Sequence, residues 1–157
     1  MRCVISFVGA MVASGVASAD PPAGPSVDAF ALQIDIGRHG ALVDHALDGL
    51  GVHLPYVQDA RVGIGADADD LWRAIREIGR DGAILKEIAC VRGEVGPKRC
   101  AAFAAPVWIS APATPAPDLA TLRVYEQELG TAMGPFVAAG CAAAIRRDRD
   151  PMACSVE

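Results

Sequence analysis

Apolar positions recur at alternating steps of three and four from Ala29 onward: Ala29, Leu32, Ile36, His39, Val43, Ala46 and Leu50 lie on one stripe. That period predicts an amphipathic helix. Ser26 precedes it as an N-cap, and Asp28 places an acid in the first turn. Gly49 and Gly51 read as its stop. Phe30, Leu32, Ile34 and Ile36 also alternate as a strand would. The helical stripe covers more residues and is preferred, although Gly37 and Gly40 each cost a helix about 1 kcal/mol.

A second stripe follows the acids Asp67, Asp69 and Asp70: Leu71, Ile75, Ile78, Gly82, Leu85 and Ala89, widened by Trp72 and Ile88. Asp69 and Arg73 are spaced i,i+4 for an outer-surface pair, and Gly79 and Gly82 are the points where this helix could bend or split. Residues 91–117 are irregular, and residues 111–117 hold three prolines, an extended crossover. Asp118 then opens a third helix with Leu122, Tyr125, Leu129, Ala132 and Met133 inward. Pro135 either kinks that helix or starts a fourth, running to about Arg147, with Phe136, Gly140, Ala143 and Ala144 inward. The expected fold is all-α: a small disulfide-stapled bundle of about four helices with a Pro-rich irregular crossover. Short connections are part of that expectation.

The start of the chain reads differently. Arg2 is followed by an uncharged apolar and small-residue run to Val16, then Ala17-Ser18-Ala19 and Asp20-Pro21-Pro22. This is the pattern of a secretory signal peptide. The run falls short of the roughly twenty residues that cross a bilayer. The expected organisation is therefore a signal peptide at 1–19, a Pro-rich linker at 20–25 and a single helical domain at 26–157. No later stretch is expected to span a membrane.

Composition narrows the class. Hydrophobic residues make up 52% and charged residues 21% of the chain, which excludes collagen, mucin and disordered classes. The formal charge of −5 argues against nucleic acid or an anionic membrane surface as the main partner. Arginine outnumbers lysine 12 to 2, and alanine supplies 30 residues. That bias resembles a GC-rich bacterial genome and, with the leader, suggests the periplasm or secretion.

Export changes the meaning of the cysteines. Cys3 leaves with the leader, and Cys90, Cys100, Cys141 and Cys154 remain. An even count in an oxidising compartment reads as two disulfides. Cys90–Cys100 and Cys141–Cys154 are favoured because each closes a short loop, and each closure is worth about 2–3 kcal/mol. The spacing contains no Cys-x-x-Cys, so zinc is a poor reading.

Candidate chemistry is sparse. His39, His45, Asp44 and Asp48 suggest metal ligands on paper, joined by Asp35 and His53. His39 and His45 stand about 120° apart on a helix, however. A half-buried His39 paired with Asp35, plus a solvated Asp44/His45/Asp48 face, is the simpler expectation. The acids at 67–70 lack the spacing and central glycine of a calcium loop and are better explained as helix caps. No Gly-x-Ser-x-Gly, phosphate loop or haem-attachment motif occurs. Glu77, Glu87, Glu94, Glu126 and Glu128 are expected on exposed helix faces. Phe103 and Trp108 form a possible partner surface or, more simply, cap the end of the core.

The function expected from these features is a small exported, non-catalytic envelope protein binding a protein or cell-wall partner, with no cofactor and no nucleic acid. The alternative is a periplasmic metal- or haem-binding protein or hydrolase centred on the first helix, with His39 and Met133 as the haem-ligand pair.

Overall fold

The structure is a computed structural model that describes residues 26–53, 65–112 and 114–147. The leader at 1–19, the linker at 20–25 and Cys154 lie outside the described residues. Within them the fold is all-helical. Helix α1 spans Val27–Gly49, α2 Ala68–Val91, α3 Pro97–Ala102 and α4 Leu119–Arg146, and a 3₁₀ turn at Val107–Ser110 separates α3 from α4.

Each long helix begins where its polar residue can satisfy free backbone donors. The Ser26 hydroxyl accepts from the Ala29 amide at 3.2 Å, Asp67 from Asp70 at 2.8 Å, and Asp118 from Thr121 at 2.7 Å. These amide contacts hold the Asp67 and Asp118 carboxyls below their ordinary range. Gly51 and Gly93 follow the ends of α1 and α2 with φ of 71° and 70°, the left-handed turn that glycine adopts without strain. The strand alternative at residues 30–36 fails because Leu32 and Ile36 are buried while Phe30 and Ile34 face outward on the same helix.

Pro135 neither splits α4 nor starts a new helix; it sits inside a helix of 28 residues. The fourth helix is instead the short α3, with Pro97 in its first turn. Pro135 removes the donor that would bond to the Thr131 carbonyl. Thr131 is on the exposed side of α4, where water can serve that carbonyl. Met133 and Phe136 flank the proline and are both buried, so continuity keeps two anchors in one core. Gly79 and Gly82 likewise do not interrupt α2: they accommodate Ile109 and Met133, whose side chains occupy the space a Cβ would need. The expected Asp69–Arg73 pair is replaced by Arg73–Asp70 at 2.7 Å.

The three long helices run in the same direction. Along α1 and α4, Asp35 meets Arg123, His39 meets Glu126, and Gly49 meets Gly140 and Ala144, in ascending order on both. Along α2 and α4 the order is Trp72 with Tyr125, Gly82 with Met133, and Glu94 with Arg146. The expectation of short connections was therefore wrong. A chain that runs up a helix of 23 residues must return roughly 34 Å before starting a parallel one. The connection between α2 and α4 is a crossover for this reason, the Pro-rich segment that carries α3 and the 3₁₀ turn. The Cys90–Cys100 disulfide, with Cα atoms 5.9 Å apart, ties α3 to the end of α2. Cys141 is also disulfide-bonded, and the expected partner Cys154 is outside the described residues.

Parallel helices bring three C-terminal carbonyl ends together. Arg92 donates to the Leu50 carbonyl, Arg147 donates to the Gly49 carbonyl at 2.9 Å, and Arg146 pairs with Glu94. These cations offset the aligned partial negative charges of the helix ends.

Helix α4 is long and apolar enough to cross a membrane by length and composition, contrary to the sequence expectation. Its place in the fold accounts for that composition: Leu122, Leu129, Met133, Phe136 and Ala143 are buried in the core it shares with α1 and α2. Helices α1 and α4 approach closely at Gly140, where an added Cβ would lie 2.5 Å from the Ala46 carbonyl oxygen and 2.7 Å from its Cα. Gly140→Ala is therefore expected to lower stability by about 1–3 kcal/mol. Gly37→Ala, which meets nothing within 4 Å, is expected to raise it by about 0.5–1 kcal/mol. Urea unfolding of the two variants checks both signs.

Candidate functional site

Two polar residues occupy stripe positions on facing helices. His39 lies on the inner stripe of α1, and Glu126 lies between Leu122 and Leu129 on that of α4. Their atoms Nδ1 and Oε1 are 2.7 Å apart, with the Glu126 side chain 7% and His39 34% exposed. The contact lacks the alignment of a good hydrogen bond, because Nδ1 has no in-line partner. Gly130 makes room for the ring: a Cβ there would sit 2.6 Å from Cε1 of His39. One turn earlier, Arg123 lies 3.5 Å from Asp35. The expected Asp35–His39 pair within α1 is thus exchanged for two pairs across the interface. Glu126 was expected on an exposed face and is instead the buried member. The signal was available in the sequence, since an acid at a core position of one helix and a histidine at a core position of another call for each other.

Burial is the largest influence on Glu126 and pushes its carboxyl above the ordinary range; His39 and Arg123 pull it down, and Asp35 pushes it up.

The other first-helix candidates lie elsewhere. Asp44, His45, Asp48 and His53 line a cleft of about 470 Å³ near the end of α1, closed on its apolar side by Leu47 and Val52. His39 is not among its walls. Among the described residues no three His, Cys, Asp or Glu side chains converge as a metal site. Asp44 and Asp48 are already engaged by other groups. Met133 packs its sulfur toward Gly82 of α2, whereas His39 packs on Gly130 at the α1 interface. The two residues of the haem reading thus pack at different interfaces of α4.

Trp108 is not a surface residue. It is 6% exposed, stacks on Tyr125 at 5.0 Å between centroids, and donates from Nε1 to Glu128 at 2.8 Å. Trp72 completes the cluster 6.0 Å away and donates to the Pro112 carbonyl at 3.0 Å. The aromatic pair foreseen as a partner surface is thus divided: Trp108 anchors the crossover to the core, as the simpler expectation had it. Phe103 is half-buried, edge-on to Phe136 at 5.3 Å, with the Lys86 ammonium 5.9 Å from its ring centre.

Phe103 also lines a surface groove. Three shallow depressions of about 420, 380 and 470 Å³ lie along the crossover, the latter two against α4. The first is bounded by Gly96, Pro97, Lys98 and Arg99. It shares Arg99 with the second, which is walled by Phe103, Pro135 and Phe136. The second shares Ala104 and Ala132 with the third, at Pro106, Val124 and Thr131. The sequence could not show this, because the groove exists only where an extended segment lies beside a helix that follows much later in the chain.

Compared with known protein families, curated proteins and solved structures, the chain matches none.

The buried pair predicts a pH dependence. The fold disfavours the charged form of Glu126, so this group's contribution is most favourable below the ordinary carboxylate value and is lost as pH rises through its elevated one. Relative to Glu126→Gln, the native protein should lose stability as pH rises above the ordinary carboxylate value of about 4.3. His39→Ala should cost about 1–3 kcal/mol at neutral pH by leaving the carboxylate unpaired. Urea midpoints at stepped pH measure both; a pH-independent difference between the native protein and Glu126→Gln would show a carboxylate solvated as at the surface.

Proposed function

We propose that the protein is a small exported binding module of the bacterial envelope, non-catalytic, holding a protein or cell-wall partner. The groove between the crossover and α4 is the observation that carries this reading. Its middle brings Phe103, Pro135 and Phe136 together, with Lys98 and Arg99 at one end and Gln127 and Glu128 at the other, an apolar anchor flanked by polar side chains as at a recognition surface. The rest of the molecule serves to hold that surface still. Trp108 and Trp72 fasten the crossover to the core, and the Cys90–Cys100 bridge fastens α3 to α2. A disulfide of this kind suits an oxidising compartment. The leader pattern at 1–19 supports the same location.

A second reading, a periplasmic metal- or haem-binding protein or hydrolase, draws on the cleft of Asp44, His45, Asp48 and His53. Stoichiometric metal in the protein as isolated, lost in His45→Ala, would favour it.

The binding reading has a direct test. A photo-crosslinking amino acid at Ala104, on the groove, is expected to trap one discrete partner in intact cells. The same group at Arg38, on the exposed side of α1, is expected to trap none. Mass spectrometry of the envelope fraction is expected to find a chain beginning at Asp20. An intact Met1 with reduced thiols, or equal trapping from both positions, overturns the proposal.

A further inference from the structure

Resting on the binding-module reading, we propose that the groove receives an extended peptide segment of a partner protein, apolar along its middle and carrying carboxylates at the Lys98 and Arg99 end.

The first support is main-chain chemistry. Residues 103–106 belong to no helix, and Phe103 and Pro106 have extended backbones, with ψ of 119° and 130°. The backbone amides and carbonyls of Ala104 and Ala105 bond to no other described residue, and both residues are exposed. An exposed non-helical segment with unused donors and acceptors, bounded by extended residues, can pair with another extended chain. Side chains of a paired chain alternate, so every second one faces the same way, about 7 Å from the next. They would enter the depression at Phe103 and Phe136 and then the one at Pro106 and Val124, which adjoin along the same run.

Charge fixes the direction. Lys98 and Arg99 are exposed and form no ion pair with any described residue, in a chain whose formal charge is −5. They line the end of the groove nearest α3. Lys86, the only other lysine, lies near the same end over Phe103. The far end carries Gln127 and Glu128. A segment with carboxylates toward Lys98 and Arg99 is complementary at that end and keeps them away from Glu128; an anionic lipid surface would meet the Glu128 carboxylate in the same groove.

The experiment uses the disulfide-bonded protein and fluorescein-labelled octapeptides. Each has alternating apolar residues and ends in two glutamates, two glutamines or two lysines. The glutamate peptide is expected to bind about tenfold tighter than the lysine peptide and to weaken as salt rises. The double variant Lys98→Glu with Arg99→Glu should reverse that order. N-methylation of alternate peptide amides should weaken the glutamate peptide by about tenfold, since it removes main-chain donors. Amide chemical-shift changes should fall on residues 98–106 and along the groove side of α4. The inference is overturned by equal binding of the three peptides, by no binding, or by shifts on another face. Binding of phosphatidylglycerol vesicles through Lys98 and Arg99 in place of the peptides also overturns it. If Ala104 traps a partner in cells while the peptides show no charge preference, only this inference falls; if Ala104 traps nothing, the binding-module reading falls as well.

Discussion

The parallel run of α1, α2 and α4 constrains everything else in this molecule. Antiparallel neighbours can be joined by a few residues and cancel their dipoles; parallel ones do neither. Between α2 and α4 the chain meets the first requirement with the Pro-rich crossover. It meets the second with arginines. Arg92 and Arg147 donate to the last carbonyls of α1, and Arg146 binds Glu94 beside them. The same geometry lets α1 and α4 approach until Gly140 touches Ala46, a distance only glycine permits at that position.

The crossover turns this constraint into a surface. The segment that travels back along the bundle is helical only at α3 and the 3₁₀ turn. Trp108 anchors it by packing against both Tyr125 and Trp72, with its indole nitrogen satisfied by Glu128. The Cys90–Cys100 bridge fixes the upstream end. What lies between, residues 103–106, runs beside α4, and the groove is the space left between the two. Groove and fold thus follow from one topological fact.

The α1–α4 interface holds the opposite kind of feature. Glu126 and His39 put charge where hydrophobic packing would serve, and the pair needs Gly130 to fit. Such a pair adds little net stability compared with an apolar isostere. It does penalise alternative alignments of two helices that are otherwise lined with Leu, Ile and Ala, because sliding either one would bury an unpaired carboxylate. The Asp35–Arg123 contact one turn away reinforces the same alignment.

The sequence by itself determined the helices. Ser26, Asp67 and Asp118 are caps at the places their side-chain chemistry requires, and the three-four stripes identify most buried positions of α1, α2 and α4. The Cys90–Cys100 bridge was legible because a short loop with turn residues closes cheaply. These are local properties, set by neighbours a few residues apart. Only the tertiary structure decided the rest: the shared direction of the long helices, the continuity of α4 through Pro135, the exchange of Asp35–His39 for His39–Glu126, the burial of Trp108, and the groove. Each depends on which surfaces meet across long stretches of chain, and the energies that select one meeting over another are sums over packed contacts that no spacing rule contains.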